Sequence, residues 1–418
     1  MIDKLNEVQK IINGYFDSVD SEAFGRFRAD FSFGKMLRSK LLLTIAPDSP
    51  TALKVCAIIE LIHFASLLHD DVIDSSHLRR GKQSINAKYG DKNAIMLGDI
   101  LYSKAFYEIA CISCGGANLS QIISNAVFEL SLGELDDVFL GESINLNAEK
   151  YIKMVERKTA ALIEASAVCG GILKNDLALN SRNLALGNSP LDLHSADLAN
   201  FGRSQTLSLA SHPKFAKNHE SQTENPSVVL NNKNGESTES SLRGVANAKA
   251  IQKNNVDCHD LTSSSLAMTE NNESAKSPQD LPKTKLNAQV EKYRIYGRNL
   301  GIAFQIIDDL LDITQEDSTL GKESFSDFKE GKTTLPYIYL YNALNAGDKE
   351  ILKSYFKKPL GSSQKCWIRA KMSEFEIIKK VKNIAQNYGA KALNALDLND
   401  NCDKNLQKII ADMIDREF

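Results

Sequence analysis

The sequence predicts an all-α fold, a helical bundle interrupted by one long polar segment. Apolar residues recur at helical spacing before residue 175 and again after residue 288. No strand-like alternation of apolar and polar residues persists in either part, and few Pro residues interrupt the pattern. Between the two parts the chain becomes rich in Ser, Asn, Lys and Glu, and its apolar residues lose their period.

Each predicted helix rests on a run of apolar residues with a period of about 3.6. In the first part these runs fall at Val8–Tyr15, Ala52–Leu68, Ala94–Ile109, Ile122–Leu132 and Tyr151–Cys169. In the second part they fall at Leu300–Leu311, Leu335–Leu344 and Ile377–Leu396. Because each run leaves an apolar face to bury, we expect the helices to pack against one another.

The polar segment covers residues from about 176 to 287. Its sparse apolar residues bury too little surface to offset the conformational entropy of the chain. We predict a mostly disordered insertion here, although the scattered Leu residues of Leu177–Leu209 could hold a weak helix. The flanking parts carry complementary halves of one chemical site, described next. The predicted organisation is therefore a single domain over 1–418, interrupted at about 176–287.

The composition argues against several classes of protein. Lys and Arg number 50 and Asp and Glu 53, so there is no basic surplus for a nucleic-acid partner. No stretch reaches ~18 uninterrupted apolar residues, so no transmembrane helix is expected. The amphipathic first residues lack the basic-then-apolar order of a signal peptide. Seven scattered cysteines are typical of free thiols in a reducing compartment, which predicts a cytoplasmic protein.

Asp70, Asp71 and Asp74 form a D-D-x-x-D motif at the end of an apolar helix. Asp70 and Asp74 are four positions apart, so both carboxylates lie on one helical face. Like charges at this spacing, at the negative end of the helix dipole, destabilise an isolated helix. A bound cation would remove both penalties, and carboxylate oxygens suit Mg²⁺. One such cluster alone is more typical of a solvated helix end.

Asp308, Asp309 and Asp312 repeat the same D-D-x-x-D motif at the end of a second apolar helix. Chance recurrence of this arrangement is small. Two such clusters facing each other would hold several Mg²⁺ ions around one diphosphate. The pair therefore favours a diphosphate site over two unrelated helix ends.

Basic residues accompany both aspartate motifs. The candidates are Lys35, Arg38, Arg79, Arg80, Lys158, Lys322 and Lys332. Arg offers planar, forked donors to phosphate and Lys offers a point charge. Each of these residues alone is more often part of a solvated surface, but their grouping near two carboxylate clusters favours a diphosphate pocket.

With these motifs the chain resembles the trans-polyprenyl diphosphate synthases, over residues 20–175 and 288–400. That family has two D-D-x-x-D clusters, the first followed by R-R-G, here Arg79, Arg80 and Gly81. Further matching segments are Gly98–Leu101, Lys158–Ala160, Phe304–Gln305, Gly321–Lys322 and Glu330–Pro336. Met36 and Ser39 depart from the family pattern, which has Arg and Pro there. The resemblance implies an isoprenoid synthase bundle around a deep central cavity, with both aspartate clusters at its mouth.

The resemblance also implies roles for individual residues and Mg²⁺ as the cofactor. Metal would be held by Asp70, Asp71 and Asp74, with Asp71 orienting the cluster, and by Asp308, Asp309 and Asp312. Isopentenyl diphosphate would be held by Lys35, Arg38, His63 and Arg80, and the allylic diphosphate by Arg79. Lys158, Thr159 and Gln305 would line the allylic site in a catalytic role. Lys322 would neutralise the leaving diphosphate, with Lys332 as a further substrate-binding cation.

The implied reaction is prenyl transfer, in which isopentenyl diphosphate adds to an allylic diphosphate such as farnesyl diphosphate. Ala65 and Ser66, five and four positions before Asp70, would form the floor for the growing chain. Both side chains are small, and only two residues separate the aspartates of the first motif. Both features resemble enzymes that make long all-trans chains for quinones.

Several alternatives stay open at this point. A short-chain farnesyl or geranylgeranyl synthase would keep the same motifs. A non-catalytic regulatory subunit of a heteromeric synthase would be expected to lose aspartates, and all six stand here. A terpene cyclase would not need the second aspartate motif. The resemblance implies a homodimer, and transient membrane contact during release of an apolar product also stays open.

Overall fold

The apolar faces of the sequence are buried in an all-α bundle, as predicted. The computed structural model describes residues 1–46, 48–112, 116–141, 144, 147–185, 288–315, 324–397 and 400–414. The described residues before 195 and after 283 fall in one compact unit. The two helical parts predicted from the sequence therefore fold together.

The first part of the chain supplies nine helices among the described residues. They are α1 (Ile2–Asp17), α2 (Glu22–Phe27), α3 (Leu37–Ile45), α4 (Pro50–Ile73), α5 (Ile85–Tyr89), α6 (Asp91–Ala110), α7 (Gly116–Leu140), α8 (Ala148–Val155) and α9 (Ala161–Ala185). A 3₁₀ turn spans Arg28–Asp30, and a π-helical turn, Glu156–Ala160, joins α8 to α9. Two short antiparallel strands, β1 (Leu78–Arg79) and β2 (Lys82–Gln83), form a hairpin between α4 and α5.

The second part supplies seven more helices in the described ranges. They are α10 (Ala288–Thr314), α11 (Ser326–Glu330), α12 (Leu335–Ala343), α13 (Ala346–Tyr355), α14 (Ser362–Glu374), α15 (Ile377–Leu393) and α16 (Asn401–Ile414). Helix α10 packs chiefly against α9 and α15, so it crosses from one part of the chain to the other. Every helix predicted from apolar periodicity is present.

Helix α4 is the central element of the core. The Ser49 hydroxyl accepts a hydrogen bond from the Ala52 N–H, and Pro50 occupies the first turn, so the helix start is well defined. Its mean hydropathy of 1.8 would suit a membrane span, but 72% of its most apolar window is buried inside the bundle. Because α1, α3 and α6 cover it, α4 is a core helix that ends at the first aspartate motif.

Helix α9 extends into the first part of the predicted insertion. It continues to Ala185, within the stretch Leu177–Leu209 where the sequence allowed a weak helix. Extending an existing helix adds one hydrogen bond per residue at little nucleation cost, so a helix can outlast its apolar pattern. The rest of the predicted insertion, 186–287, lies outside the described residues.

Candidate active site

The first aspartate motif lies at the carboxyl end of α4. Asp71 is buried, and Arg79 on the hairpin donates to both of its oxygens, with Nε–Oδ2 at 2.8 Å and Nη2–Oδ1 at 2.6 Å. This paired geometry fixes the hairpin against the helix. Asp71 therefore lies where an orienting residue is expected, and Arg79, predicted to hold the allylic diphosphate, is held beside the metal motif.

Two acidic residues of α7 complete the surroundings of Asp70. The Lys158 Nζ lies 2.9 Å from Glu134 Oε1 and 2.7 Å from Asp137 Oδ2. Burial raises the pKa of Glu134 to about 8, and the neighbouring Asp70 carboxylate adds to the effect. Burial also raises the pKa of Asp70, against the attraction of Lys158.

This group of carboxyls has the chemistry of a metal site. Glu134 Oε2 is buried and makes no hydrogen bond, and the charges of Asp70 and Asp137 raise the pKa of Glu134, as that of Asp74 raises the pKa of Asp70. Crowded oxygen donors with an unsatisfied buried member fit a hard cation such as Mg²⁺. Sequence reasoning missed Glu134 and Asp137, because the predicted helix Ile122–Leu132 ended before them, whereas α7 continues to Leu140 and their spacing of three places both on one face.

The three aspartates of the second motif differ in burial. Asp309 and Asp312 are buried, whereas Asp308 is half-buried. Asp309 accepts hydrogen bonds from the Tyr151 hydroxyl and, at 2.8 Å, from Gln305 Nε2. Burial, reinforced by Asp327 and partly opposed by these two bonds, raises the pKa of Asp309 well above its ordinary value.

Asp312 holds the segment that follows α10. It accepts from the Ser326 hydroxyl at 2.8 Å and from the Asp327 N–H at 3.3 Å. Asp312 is thus placed to anchor the start of α11, and Asp308 is the member with most access to a ligand. Both remain predicted metal ligands.

Lys332 joins the two parts of the site. Its Nζ lies 2.5 Å from Asp74 Oδ2 and 3.0 Å from Glu330 Oε2. Burial lowers the pKa of Lys332, but Asp74, Asp327 and Glu330 outweigh it and raise the pKa well above the ordinary value. The ammonium is therefore charged at any physiological pH. Lys322, predicted to neutralise the leaving diphosphate, lies outside the described residues.

Lys158 and Thr159 lie in the π-helical turn. The Thr159 hydroxyl donates to Gln305 Oε1 at 2.7 Å, so the three residues predicted to line the allylic site come together. A Cβ on Gly133 of α7 would lie 2.2 Å from the Lys158 nitrogen, and one on Gly301 of α10 would lie 2.6 Å from the Ala160 Cα. Two glycines therefore let neighbouring helices clamp this turn from both sides.

The residues predicted to hold isopentenyl diphosphate gather beside the hairpin. Burial, followed by Arg38, Arg80 and Arg79, lowers the pKa of His63 well below its usual value. Arg38 Nε is buried without a hydrogen-bond partner, and Arg80 Nη1 donates to the Ser32 carbonyl at 2.8 Å. Excess positive charge around an unsatisfied donor fits a bound anion. Lys35, predicted for the same site, is exposed.

Ser39, one of the departures from the family pattern, has a clear structural role. Its hydroxyl donates to the buried Glu60 Oε1 at 2.7 Å and its N–H donates to the same oxygen at 3.2 Å. A Pro there would have no N–H to donate. Met36, the other departure, adopts a left-handed conformation with φ of 51° just before α3.

A model of the polyprenyl synthetases matches residues 29–186 and 274–370. The chain belongs to the polyprenyl synthetase family. An octaprenyl diphosphate synthase of Escherichia coli is 39% identical over 119 residues, 28% of this chain and 36% of that protein. The chain thus matches about a third of the length of that relative. A geranylgeranyl diphosphate synthase of Sulfolobus acidocaldarius is 24% identical over 413 residues, 94% of this chain and 89% of that protein.

A solved structure also resembles the chain. The octaprenyl pyrophosphate synthase of Helicobacter pylori is 33% identical, with a TM-score of 0.67 and full coverage of both chains. The proteins that this polyprenyl synthetase resembles therefore include octaprenyl synthases as well as a geranylgeranyl synthase.

An apolar cavity of about 290 Å³ opens beside the first aspartate motif of this polyprenyl synthetase. Its lining comes from α4, α6 and α7 and includes Ser66, Asp70, Tyr102, Leu130 and Glu134. Ala65, predicted with Ser66 to form a floor, is fully buried in the core and does not line this cavity. Adjacent residues of a helix point about 100° apart, so only one of the two can face a given cavity.

One other acidic group in the described ranges has metal-like spacing. The ligand atoms of Asp400, Cys402 and Asp403 lie within 4.8 Å of one another. Lys174 and Lys292 already pair with the two carboxylates, at 3.1 and 2.7 Å, so the charge a cation would need is matched.

Proposed function

We propose that this chain is a prenyltransferase that condenses isopentenyl diphosphate with an allylic diphosphate. The observation that carries the proposal is the contact between Lys332 and Asp74, since the Lys332 N–H also donates to the Asp327 carbonyl and the Asp327 N–H donates to Asp312 of the second motif. An apolar cavity opens beside Asp70, and the arginines around His63 lie near the same helix end. A charged head with an apolar tail, and a second anion nearby, fit this arrangement.

Each part of the site has a role in such a reaction. Bound Mg²⁺, held by Asp70, Asp74 and Asp308, would supply charge that stabilises the departing diphosphate. Lys158 and Lys332, both half-buried and charged, would add to this positive field. The cluster around Arg38 and His63 would hold the second diphosphate.

The reaction needs no nucleophilic side chain from the protein. The allylic C–O bond breaks and its electron pair leaves with the diphosphate. The double bond of isopentenyl diphosphate then forms a bond to the allylic C1, and a proton is lost to the departed diphosphate. The π-helical turn at Lys158 and Thr159 interrupts the regular carbonyl ladder, and its carbonyl dipoles would stabilise the developing positive carbon.

The test is incorporation of radiolabelled isopentenyl diphosphate onto farnesyl diphosphate by purified protein with Mg²⁺. We expect incorporation by the wild type and at least 100-fold less by Asp70→Asn, since one ligand charge is lost. Asp91→Asn, on the far end of α6, serves as a matched control with wild-type activity. No incorporation by the wild type with any allylic primer would overturn the proposal and favour a non-catalytic subunit.

We propose further that the product is a long all-trans chain of the kind used in quinones. Support comes from the similarity to two octaprenyl synthases and from the small Ser66 beside the cavity. The short-chain alternative also has an observation in its favour, because a cavity of about 290 Å³ is near the low end for small-ligand sites. The length of the labelled products distinguishes the two.

A homodimer through α6 and α7 is part of the same proposal. These two helices expose large apolar side chains, which are Ile95, Met96, Tyr107, Phe128, Leu135, Val138 and Phe139. Phe128 and Phe139 are three turns apart on one face of α7, as Met96 and Tyr107 are on α6. An apolar face of this extent is typical of an interface with a second copy.

Light scattering on the purified chain checks the assembly. We expect the mass of a dimer for the wild type and of a monomer for Phe128→Lys with Phe139→Lys. Ile351→Lys, a substitution at an exposed apolar residue elsewhere, should remain dimeric. A monomeric wild type would contradict the assignment.

A further inference from the structure

Four polar side chains form a continuous chain of hydrogen bonds beside the second aspartate motif. The Tyr151 hydroxyl donates to Asp309 Oδ2, and Gln305 Nε2 donates to Asp309 Oδ1 at 2.8 Å. The Thr159 hydroxyl donates in turn to Gln305 Oε1 at 2.7 Å. The sequence predicted a place in the site for three of these residues and none for Tyr151, which begins the chain.

The chain of hydrogen bonds joins two helical segments that run antiparallel. Tyr151 and Thr159 lie eight residues apart on α8 and the π-helical turn, about 12 Å along the axis, whereas Gln305 and Asp309 are one turn apart on α10. The earlier residue of one segment contacts the later residue of the other. The length of the tyrosine side chain makes up the difference in spacing, so the hydroxyl reaches Asp309.

The hydroxyl of Tyr151 is a fixed donor. Tyr151 is 1% exposed and Asp309 is 3% exposed, so water does not compete for the hydrogen bond between them. The tyrosine ring belongs to the apolar cluster that contains Leu310 and Phe328. The hydroxyl therefore cannot leave Asp309 without disturbing the packing of α8 on α10.

The direction of the hydrogen bonds is set at Asp309, which accepts at both oxygens. The side of Gln305 that faces Asp309 is therefore its N–H side, and its carbonyl oxygen faces Thr159. Because the Thr159 hydroxyl gives its single hydrogen to that carbonyl, its own oxygen can only accept further bonds or face positive charge. Without a donor at Oδ2 the carboxyl could turn about χ2, and the amide would lose the acceptor that orients it.

We propose that Tyr151 is a positioning residue for prenyl transfer, which holds the amide of Gln305 and, through it, the hydroxyl of Thr159. The inference rests on the proposed function, in which positive charge develops at the allylic C1 near the π-helical turn. With its hydrogen committed to Gln305, the Thr159 oxygen offers lone pairs to that charge, already oriented before the bond breaks. Tyr151 acts only through these two residues and does not touch the substrate.

Removal of the hydroxyl alone tests this role. Tyr151→Phe keeps the ring and its packing, and we expect kcat to fall about fivefold or more, the effect of one hydrogen bond, with an unchanged KM for isopentenyl diphosphate. Tyr296→Phe is the matched control, because Tyr296 is also buried and its hydroxyl donates to the Leu406 carbonyl at 2.8 Å in a different apolar cluster. The control should lower the melting temperature but not kcat. An unchanged kcat in Tyr151→Phe would overturn the proposal.

A double-mutant cycle shows whether Tyr151 acts through Gln305. If it does, the double variant Tyr151→Phe with Gln305→Leu should have a kcat within about twofold of that of Gln305→Leu alone. The hydroxyl has nothing left to position once the amide is gone. Losses that multiply in the double variant would show an independent effect of Tyr151 and would contradict the proposed path.

Binding of unreactive analogues needs no turnover and separates this test from that of the proposed function. Calorimetry compares an allylic diphosphate analogue that carries an ammonium nitrogen near the reacting carbon with its uncharged carbon counterpart. Tyr151→Phe should lose about fivefold affinity for the ammonium analogue and little for the carbon one. Equal losses for both would count against Tyr151, whereas an inactive wild type would count against the proposed function. If the phenylalanine variant does not fold, Tyr151→Met replaces it in each measurement.

Discussion

His63 is surrounded by cations and is uncharged for that reason. Its pKa is lowered first by burial and then by Arg38, Arg80 and Arg79. At pH 7 the imidazole is therefore neutral and can act toward a diphosphate only as a hydrogen-bond donor. Its position seven residues before Asp70 on α4 places it on the same helical face as the metal motif.

A neutral amide should substitute for this neutral ring. We expect His63→Gln to keep the KM for isopentenyl diphosphate within about threefold, and His63→Leu to raise it about tenfold or more. The reason is that a hydrogen bond to a charged group contributes about 1.5–3 kcal/mol. Steady-state kinetics measure both. A larger defect in His63→Gln than in His63→Leu would contradict a neutral role.

Glu134 should make metal binding depend on pH. Its pKa is raised to about 8, so at lower pH the free enzyme carries a proton that a metal must displace. We expect the apparent affinity for Mg²⁺, measured with an unreactive diphosphate, to fall as the pH drops from about 8.5 to 6.5, by up to about tenfold per unit.

The matched variant removes this titration. Glu134→Gln should bind Mg²⁺ more weakly at high pH and show a shallower dependence on pH. Glu129→Gln, on the same helix but paired with Arg157 at 3.2 Å, should behave as the wild type. An equally steep dependence in Glu134→Gln would assign the proton to another carboxyl.

The π-helical turn is an element whose geometry depends on its neighbours. Glu156–Ala160 departs from regular α-helix between α8 and α9. Such turns are rare and frequent at functional sites. Here the close approach of α7 at Gly133 and of α10 at Gly301 leaves no room for a side chain on either.

Filling one of these contacts should displace the turn. A Cβ at Gly133 would meet backbone atoms of Lys158, so Gly133→Ala should lower kcat at least tenfold and reduce the melting temperature. Gly14→Ala is the control, because nothing lies within 4 Å of its Cβ. In an exposed part of α1 it should stabilise the fold by up to about 1 kcal/mol. Wild-type activity in Gly133→Ala would show that the turn tolerates movement.

Across the whole molecule, the site is assembled from residues far apart in the chain. The ion pair between Asp74 and Lys332 and the hydrogen bond between Thr159 and Gln305 both cross from the first part to the second. No residue between 186 and 287 was predicted to take part in the site. We therefore expect the chemistry to depend on how the two parts pack and not on the length of chain between them.

Shortening the connection should leave the enzyme intact. We expect a chain in which a ten-residue Gly/Ser linker replaces residues 190–283 to keep kcat within about twofold of the wild type. Loop-closure entropy changes only slowly with loop length, so the melting temperature should change little. Activity and thermal unfolding of the two proteins give the comparison. Loss of soluble, active protein would assign a structural role to the removed segment.

Much of the architecture was determined by the sequence alone. Burial of apolar surface away from water is favourable. The helical spacing of apolar residues therefore fixes which helices form and which of their faces pack. The two D-D-x-x-D motifs could also be recognised from the sequence. A spacing of four places Asp70 and Asp74 on one helical face independently of the tertiary structure. The family follows from these local patterns.

Only the tertiary structure decided which residues share a site. Glu134 and Asp137 lie beside Asp70 because α7 packs against α4. The spacing of residues within one helix gives no information about such a contact between two helices. Tyr102 lines the cavity for the same reason, because it comes from α6, whereas the sequence pointed to Ala65 on α4. Local patterns determine which side chains lie on each face of a helix. Close packing between helices far apart in the chain determines which residues those side chains contact.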